Sequence, residues 1–474
     1  MLEQRTTFWK RYVIGGLLIV LAAGAATGVA AFHEIDKVVN AFKSGNTISL
    51  PQDLQEAGNG KPQTILLIGA DQRAKGAVDY STSARSDTMM LVRLDPSKSA
   101  TALMSLPRDL KVSIPGHGVD KLNAAYSEGG VKLTVRTIKK LTGLGINHVV
   151  NIDFRGFRKA IDALGCVFAD VDRRYYNQTG NYAKIDIQPG YQKICGQPAL
   201  DYVRYRHNDN DIVRSARQQD FLRQIKQQIG VSKLIAHRDK LITIFGRYTQ
   251  SDIGSDKAVL RLLNLVVNSA SHPIHEIHFT AKLGPSFVTA SHSDINKLAQ
   301  EFLGATAPPV PKTPKPKSRK GHHKKGRGGS GLTDTSSSGK QVALQLVTGG
   351  ARGMRLYYPR GLVPGSMFLN PPRAYTIRPS AHKKYPAYRI VISTGKVGEY
   401  YGLQGTTWAS APILRSPSAT TKIGGEKFRL YRDGARTRLV AWQSGGAVYW
   451  ISNTLSEMLT EKQMLAVARS AKSL

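Results

Sequence analysis

Residues 202–219, YVRYRHNDNDIVRSARQQ, hold four arginines (Arg204, Arg206, Arg214, Arg217) and only two aspartates, Asp209 and Asp211. Guanidinium groups grip oxyanions bidentately in a fixed geometry, so such a cluster suits phosphate or pyrophosphate. Read as a strand, YVRYR points Arg204 and Arg206 to one face. HNDND is turn chemistry. In the helix expected next, Arg214, Arg217 and Gln218 fall at i, i+3 and i+4 and share a face. A strand edge and a helix start then aim four guanidiniums at one point. Internal salt bridges are the competing use, but 67 Lys and Arg face only 33 Asp and Glu.

A complementary half lies over a hundred residues upstream. LLIGADQR ends an apolar run with Asp71 and Arg73, and ARSDTMMLV opens the next with Arg85 and Asp87. Carboxylates at adjacent strand ends can share one hard divalent cation. SLPRD adds Arg108 and Asp109 at the end of a third strand. A divalent ion beside several arginines is apparatus for phosphoryl chemistry. No P-loop, protein-kinase set or GxSxG elbow points elsewhere.

The elements that must carry these residues read as α/β. QTILLIG (63–69), DTMMLVRLD (87–95) and TALMSLP (101–107) are short apolar runs bounded by turn residues. VKLTVRTIKKLTG (131–143) has helical spacing and a capping Gly143. HVVNIDF (148–154) predicts a strand, followed by an amphipathic helix over RGFRKAIDALG. Residues 61–304 are thus expected to form one α/β domain, after a helix and polar spacer over 33–60.

Residues 12–32 are 21 positions without a formal charge, preceded by Arg5, Lys10 and Arg11 and followed by Glu34 and Asp36. A helix of that length spans about 30 Å, and the charge bias puts the N-terminus in the cytoplasm and the rest outside. A cleaved signal peptide is the alternative, though the run exceeds a typical h-region. The net charge of +34 calls for an anionic partner such as wall polymer or lipid. Nucleic acid is not expected, because an exported domain does not meet the chromosome. Export also makes a disulfide the natural state of the only two cysteines, Cys166 and Cys195, with separate buried thiols as the alternative.

Residues 305–341 run from Pro-rich to Lys/Arg-rich to Gly-rich and predict a disordered linker. Beyond 342, runs such as VALQLV, AYRIVIST, RLVAWQ and AVYWIS predict a separate, mostly-β domain. It closes with a helix over TEKQMLAVARSAKSL, where Thr460 and Gln463 have capping-box spacing. Tyr400, Tyr401 and Trp408 could recognise glycans there, although strand aromatics are more often core.

Taken in order, LLIGADQR, ARSDTMMLVRLD, LMSLPRDLKVSIPGHGVDKLNAAYSEGG, LTGLGINHVVNIDFRGF and ALDYVRYRHNDNDIVRSARQQDFL strongly resemble the LytR-CpsA-Psr (LCP) family over residues 63 to about 229. The resemblance implies a membrane-anchored phosphotransferase that moves a glycopolymer from a polyprenyl-pyrophosphate carrier to a muramic-acid hydroxyl of peptidoglycan. It implies an α-β-α sandwich with an apolar groove for the polyprenyl tail. Asp71 and Asp87 would hold Mg²⁺, with Mn²⁺ as a substitute. Arg73, Arg85, Arg108, Arg204, Arg206, Arg214 and Arg217 would surround the pyrophosphate. Asp211 would orient arginines, and Lys121, Asn123 and Gln218 would support. Asp87 and Asp211 are both candidate general bases, and pyrophosphatase activity is a conceivable side reaction. The chain departs from the family at ALGCVF and ICGQP, which bring in the two cysteines. A basic scaffold that binds wall polyanions without turnover is the rival reading; a transcriptional regulator conflicts with the expected topology.

Overall fold

The computed structural model describes residues 48–70, 86–98, 100–179, 184–205, 209–229, 236–253, 261, 265, 274–279, 281–305, 331–349 and 353–474. The chain divides into two compact units, the first comprising 1–169, 176–187 and 194–307, the second 170–175, 188–193 and 308–474. The expected anchor at 12–32 lies outside the described residues. Among the described residues no helix is long and apolar enough to cross a membrane.

The first unit is built on β1 (Gln63–Ala70), β2 (Ser86–Leu94), β3 (Thr101–Ser105), the hairpin β4 (Lys111–Ile114) and β5 (Gly118–Lys121), and β6 (His148–Asp153). Its main sheet runs Thr249–Ser251, β6, β1, β2, β3, Ile274–Ile277. β1 is parallel to β6 and antiparallel to β2, and β2 is antiparallel to β3. The C-terminal ends of β1, β3 and β6 therefore meet the start of β2 at one edge of the sheet. Crevices at such strand ends are where α/β sheets place ligands.

Alternate strand residues serve opposite faces. Leu66, Ile68, Met89, Leu91 and Met104 pack with Val135 and Ile138 of α1 (Ala124–Thr142) and with Leu298 and Phe302 of α6 (His292–Gly304). Fully burying a side chain such as Phe302 contributes roughly 1.5–3 kcal/mol. The other face carries α2 (Phe154–Ala163), α3 (Gly196–Arg204) and α4 (Asp211–Gln228); α5 (Arg238–Tyr248) lies against α2. α1 ends as its sequence predicts, with Gly143 left-handed at φ 69°.

In the second unit seven antiparallel strands are ordered Met367–Ser380, Lys383–Ser393, Tyr400–Thr406, Ala447–Ser452, Arg436–Ser444, Glu426–Asp433 and Ala419–Ile423. One face packs on α7 (Ser336–Thr348) and α8 (Glu461–Ser470) through Tyr388, Ile390, Trp442, Val342 and Met464. Also within this unit, the fully buried Arg389 pairs with Asp170 at 3.4 Å, and Trp450 Nε1 donates to the same carboxylate at 3.2 Å. Tyr191 N donates to the Gln404 side chain at 3.2 Å, and its hydroxyl accepts from Ile413 N at 3.3 Å.

Several sequence expectations need correction. Residues 48–60 are not a free spacer: Leu50 is in the core, and Arg136 Nε bonds Asp53 at 2.5 Å. Residues 170–175 and 188–193, which include the ends of strands, group with the second unit although the whole span 61–304 read as one domain, because apolar run patterns carry no information about which unit a strand end joins. VALQLV is helical, within α7, and this helix starts at Ser336, inside the span expected to be linker. Val342, Ala343 and Leu346 bury one helical face there, a spacing that alternation obscures. Tyr401 is fully buried, and Trp408 stacks on Tyr385 with ring centroids 5.5 Å apart, so both are core residues. The capping box at Thr460 and Gln463 forms as read.

Candidate active site

Asp71, Arg73, Arg85 and Arg206 lie outside the described residues, as does the side chain of Asp87. The register pairs Ala70 with Ser86, the residues that precede Asp71 and Asp87. Of the remaining residues singled out by sequence, Arg108, Lys121, Asn123, Asp211 and Arg214 gather around the start of α4. Asn210 caps that helix by accepting from Val213 N at 2.9 Å, and Asp211 lies in the first turn, where a carboxylate complements the helix dipole. Asp211 is 3% exposed and forms an ion pair with Arg214, itself 2% exposed. Its other oxygen accepts the backbone N–H of Asp109 at 3.2 Å.

Asp109 carries the contact outward: Lys121 Nζ lies 3.4 Å and Arg108 Nε 3.7 Å from its Oδ1. Asn123 N donates to Arg108 O at 3.0 Å as the chain enters α1. Arg108, Lys121, Asn123, Asp211 and Arg214 are thereby brought together from the turn after β3, the end of β5, the N-cap of α1 and the first turn of α4.

Arg204 and Gln218 sit together at a second place. Behind them a cavity of about 120 Å³ is walled by Leu67, Met90, Phe157, Leu200, Val203 and Phe221, between the sheet and α2–α4. Thr88, Arg204 and Gln218 also line it. Gln218 Nε2 donates to Thr88 Oγ1 at 2.9 Å and to Val203 O at 3.1 Å. The Arg204 guanidinium lies 4.0 Å from the Phe154 ring centroid, a cation–π contact. This is not the strand geometry read from YVRYR. Arg204 is the last residue of α3, because Ala199, Leu200, Tyr202 and Val203 bury a helical face and Pro198 is tolerated in the first turn. One turn earlier, burial pushes the Asp201 carboxyl up, opposed by Gln197 and Arg204.

Arg217 is set apart from the other arginines. It is fully buried, pairs with Asp209, and donates to Tyr202 O at 2.8 Å and Tyr205 O at 2.9 Å. It ties α4 to the segment that follows α3. Cys166 and Cys195 are joined with Cα atoms 4.5 Å apart. Cys195 is the N-cap of α3, and Asp162 of α2 accepts Gly196 N at 2.8 Å, so the bridge anchors the helix that bears Arg204.

Sequence reasoning missed Thr88 and Phe154. A hydroxyl inside the apolar run TMMLV was the only sign of the first. Nothing local marks an aromatic that slides under an arginine fifty residues away.

A model described as the LytR_cpsA_psr family matches residues 29–300 of the chain. Polyisoprenyl-teichoic acid–peptidoglycan teichoic acid transferase TagU of Oceanobacillus iheyensis is 28% identical over 318 residues, covering 64% of this chain and 95% of the relative. The corresponding transferase TagT of Bacillus subtilis is 29% identical over 267 residues, 54% of this chain and 81% of its own. Among solved structures, B. subtilis TagV is 26% identical with a TM-score of 0.42, covering 53% of this chain and 100% of its own. YwtF (TagT) with bound octaprenyl pyrophosphate lipid is 22% identical with a TM-score of 0.40, covering 54% and 97%.

Proposed function

This chain belongs to the LytR-CpsA-Psr family, and we propose that it transfers a glycopolymer phosphate from a polyprenyl-pyrophosphate carrier to a muramic-acid hydroxyl of peptidoglycan. The observation that carries this reading is the juxtaposition of an almost wholly apolar cavity with a rim of guanidinium and amide groups. A lipid pyrophosphate has that polarity: an apolar tail ending in concentrated negative charge. The relatives named as teichoic acid transferases support the same assignment.

In this reading the polyprenyl tail enters between the sheet and α2–α4, displacing water from Leu67, Phe157 and Phe221. Arg204 and Gln218 meet the head group where the tail ends, and Arg108 and Arg214 with Arg73, Arg85 and Arg206 neutralise it. The acceptor hydroxyl attacks the phosphorus attached to the sugar and gives up its proton to Asp87 or to water, the bond to the bridging oxygen breaks, and polyprenyl phosphate leaves. Positive charge aimed at the leaving phosphate stabilises the negative charge that develops there. Asp211 is engaged by Arg214 and the Asp109 amide, which supports an orienting role rather than proton transfer.

Asp71 and Asp87 would hold Mg²⁺. Two carboxylates that follow the paired residues Ala70 and Ser86 are a donor set suited to a hard cation. When bound, the ion would supply further neutralisation of the pyrophosphate. Residues 12–32 serve in this reading as a signal-anchor that holds the domain against the outer face of the cell membrane.

The test uses the full chain in detergent with a polyprenyl-pyrophosphate oligosaccharide and a peptidoglycan acceptor. Transfer is expected from the wild type and lost in Arg206→Ala, in Asp87→Ala and with EDTA. Unchanged transfer under these three conditions refutes the assignment. Salt-sensitive polyanion binding without turnover, surviving Asp71→Ala and Asp87→Ala, would establish the scaffold instead.

A further inference from the structure

The β4–β5 hairpin sets two lysines directly opposite each other, Lys111 against Lys121. Like charges in that relation destabilise a strand pair, so their juxtaposition calls for a compensating group. Both ammonium groups lie over one aromatic ring, Phe287, at 5.6 and 5.9 Å from its centroid. The ring is held in place by the adjacent chain: Val288 N donates to Asp109 O at 2.9 Å, and Leu110 bridges to Val288.

The cationic face continues in both directions. Toward the candidate active site, Lys121 meets Asp109 at 3.4 Å, and Asp109 leads to Arg108 and Asp211. Away from it, Ser113 follows Lys111 on the same strand face, roughly 7 Å further along, and receives Lys140 Nζ of α1 at 3.1 Å. Lys111, Ser113 and Lys140 are exposed. Two further carboxylates are near: Asp120 accepts the Lys121 backbone N–H at 2.7 Å, and Glu128 lies 3.8 Å from His117. Lys121 shares Asp109 with Arg108, whereas Lys111 lies over Phe287 and Lys140 meets the Ser113 hydroxyl, so their ammonium groups face outward without drawing on that carboxylate.

We infer that the exposed face of the hairpin, Lys111, Lys121 and Lys140 with the Phe287 ring, is a binding track for a sugar chain bearing phosphate or carboxylate groups. Spaced ammonium groups pair with successive anions, and the face of the aromatic ring beside them takes the apolar C–H face of a sugar. The inference rests on the transfer reading above and deepens it: the cargo is an anionic polymer, and it leaves the pyrophosphate along β4.

The experiment titrates the full chain in detergent with an oligo(glycerol phosphate) and, in parallel, with a neutral chito-oligosaccharide and with phosphatidylglycerol vesicles. Lys111→Gln combined with Lys140→Gln is expected to weaken oligo(glycerol phosphate) binding about tenfold and to flatten its salt dependence. Neutral-oligosaccharide binding is expected to stay the same, and the Lys111→Arg, Lys140→Arg pair to retain wild-type affinity. Phe287→Leu is expected to cost about threefold. Unchanged affinity for the oligo(glycerol phosphate) in the double glutamine variant overturns the track. A loss seen only with vesicles also overturns it and makes the hairpin a lipid-contact surface. Lysine-dependent polyanion binding by a wild type that transfers nothing leaves the track standing and removes the transfer reading alone.

Discussion

Replacing Arg217 by alanine separates two kinds of arginine that one stretch of sequence presents as equals. The side chain has no exposure and answers the buried Asp209 carboxylate and two backbone carbonyls, Tyr202 O and Tyr205 O. Removing one partner of a buried ion pair costs about 3–5 kcal/mol, because the other charge stays buried and uncompensated. The orphaned carbonyls add to that cost. For a unit of this size each kcal/mol lowers Tm by roughly 2–4 °C, so even the lower figure implies a fall of about 6–12 °C. Arg108 is different: its side chain retains 14% exposure and Asp109 keeps Lys121 at 3.4 Å when Arg108 is removed, so Arg108→Ala is expected to lower Tm by no more than about 4 °C. The assay is thermal denaturation followed by far-UV circular dichroism, alongside transfer measurements on the same preparations. Arg217→Ala should lose both stability and transfer, and Arg108→Ala chiefly transfer. An Arg217→Ala protein that melts like the wild type yet fails to transfer would refute the reasoning, because Arg217 would then act on the ligand directly.

Three further outcomes follow from the packing. Val203→Trp, which fills the apolar cavity, is expected to weaken binding of polyprenyl pyrophosphates at least about tenfold while leaving inorganic pyrophosphate within about threefold, since only the tail meets the added ring; equal loss of both, read by calorimetry, counts against a tail site. Asp170→Ala strands the buried Arg389 and should destabilise the second unit by about 3 kcal/mol or more, whereas Asp170→Leu with Arg389→Met should recover most of that in urea unfolding; equal instability of the single and double variants contradicts the pairing. Cys166→Ala with Cys195→Ala opens a loop of sequence separation 29, for which chain entropy predicts a loss of about 3–4 kcal/mol; an unchanged unfolding midpoint would show that the bridge adds nothing to stability.

The strands β1, β2, β3 and β6, the capping of α1 by Gly143, the helix bearing Arg214, Arg217 and Gln218, and the capping box of α8 were all legible locally. Each is written in the spacing of apolar residues and in the residue at a helix end, which short-range sterics and backbone hydrogen bonding decide. The grouping of Arg108, Lys121, Asp211 and Arg214 was legible only as convergent chemistry and motif order, with no distances attached. Tertiary structure decided what local patterns cannot express. YVR is helical because α3 packs its Tyr202 and Val203 inward, overriding the β-propensity of those residues. Arg217 faces backbone and Asp209, and Arg204 faces an aromatic ring, although the two arginines look alike in sequence, because the partner of a long side chain is set by what the rest of the chain brings near it. The Asp170–Arg389 pair, 219 residues apart, has no local signature for the same reason: a buried charge is placed by its counter-charge, and only folding brings the two together.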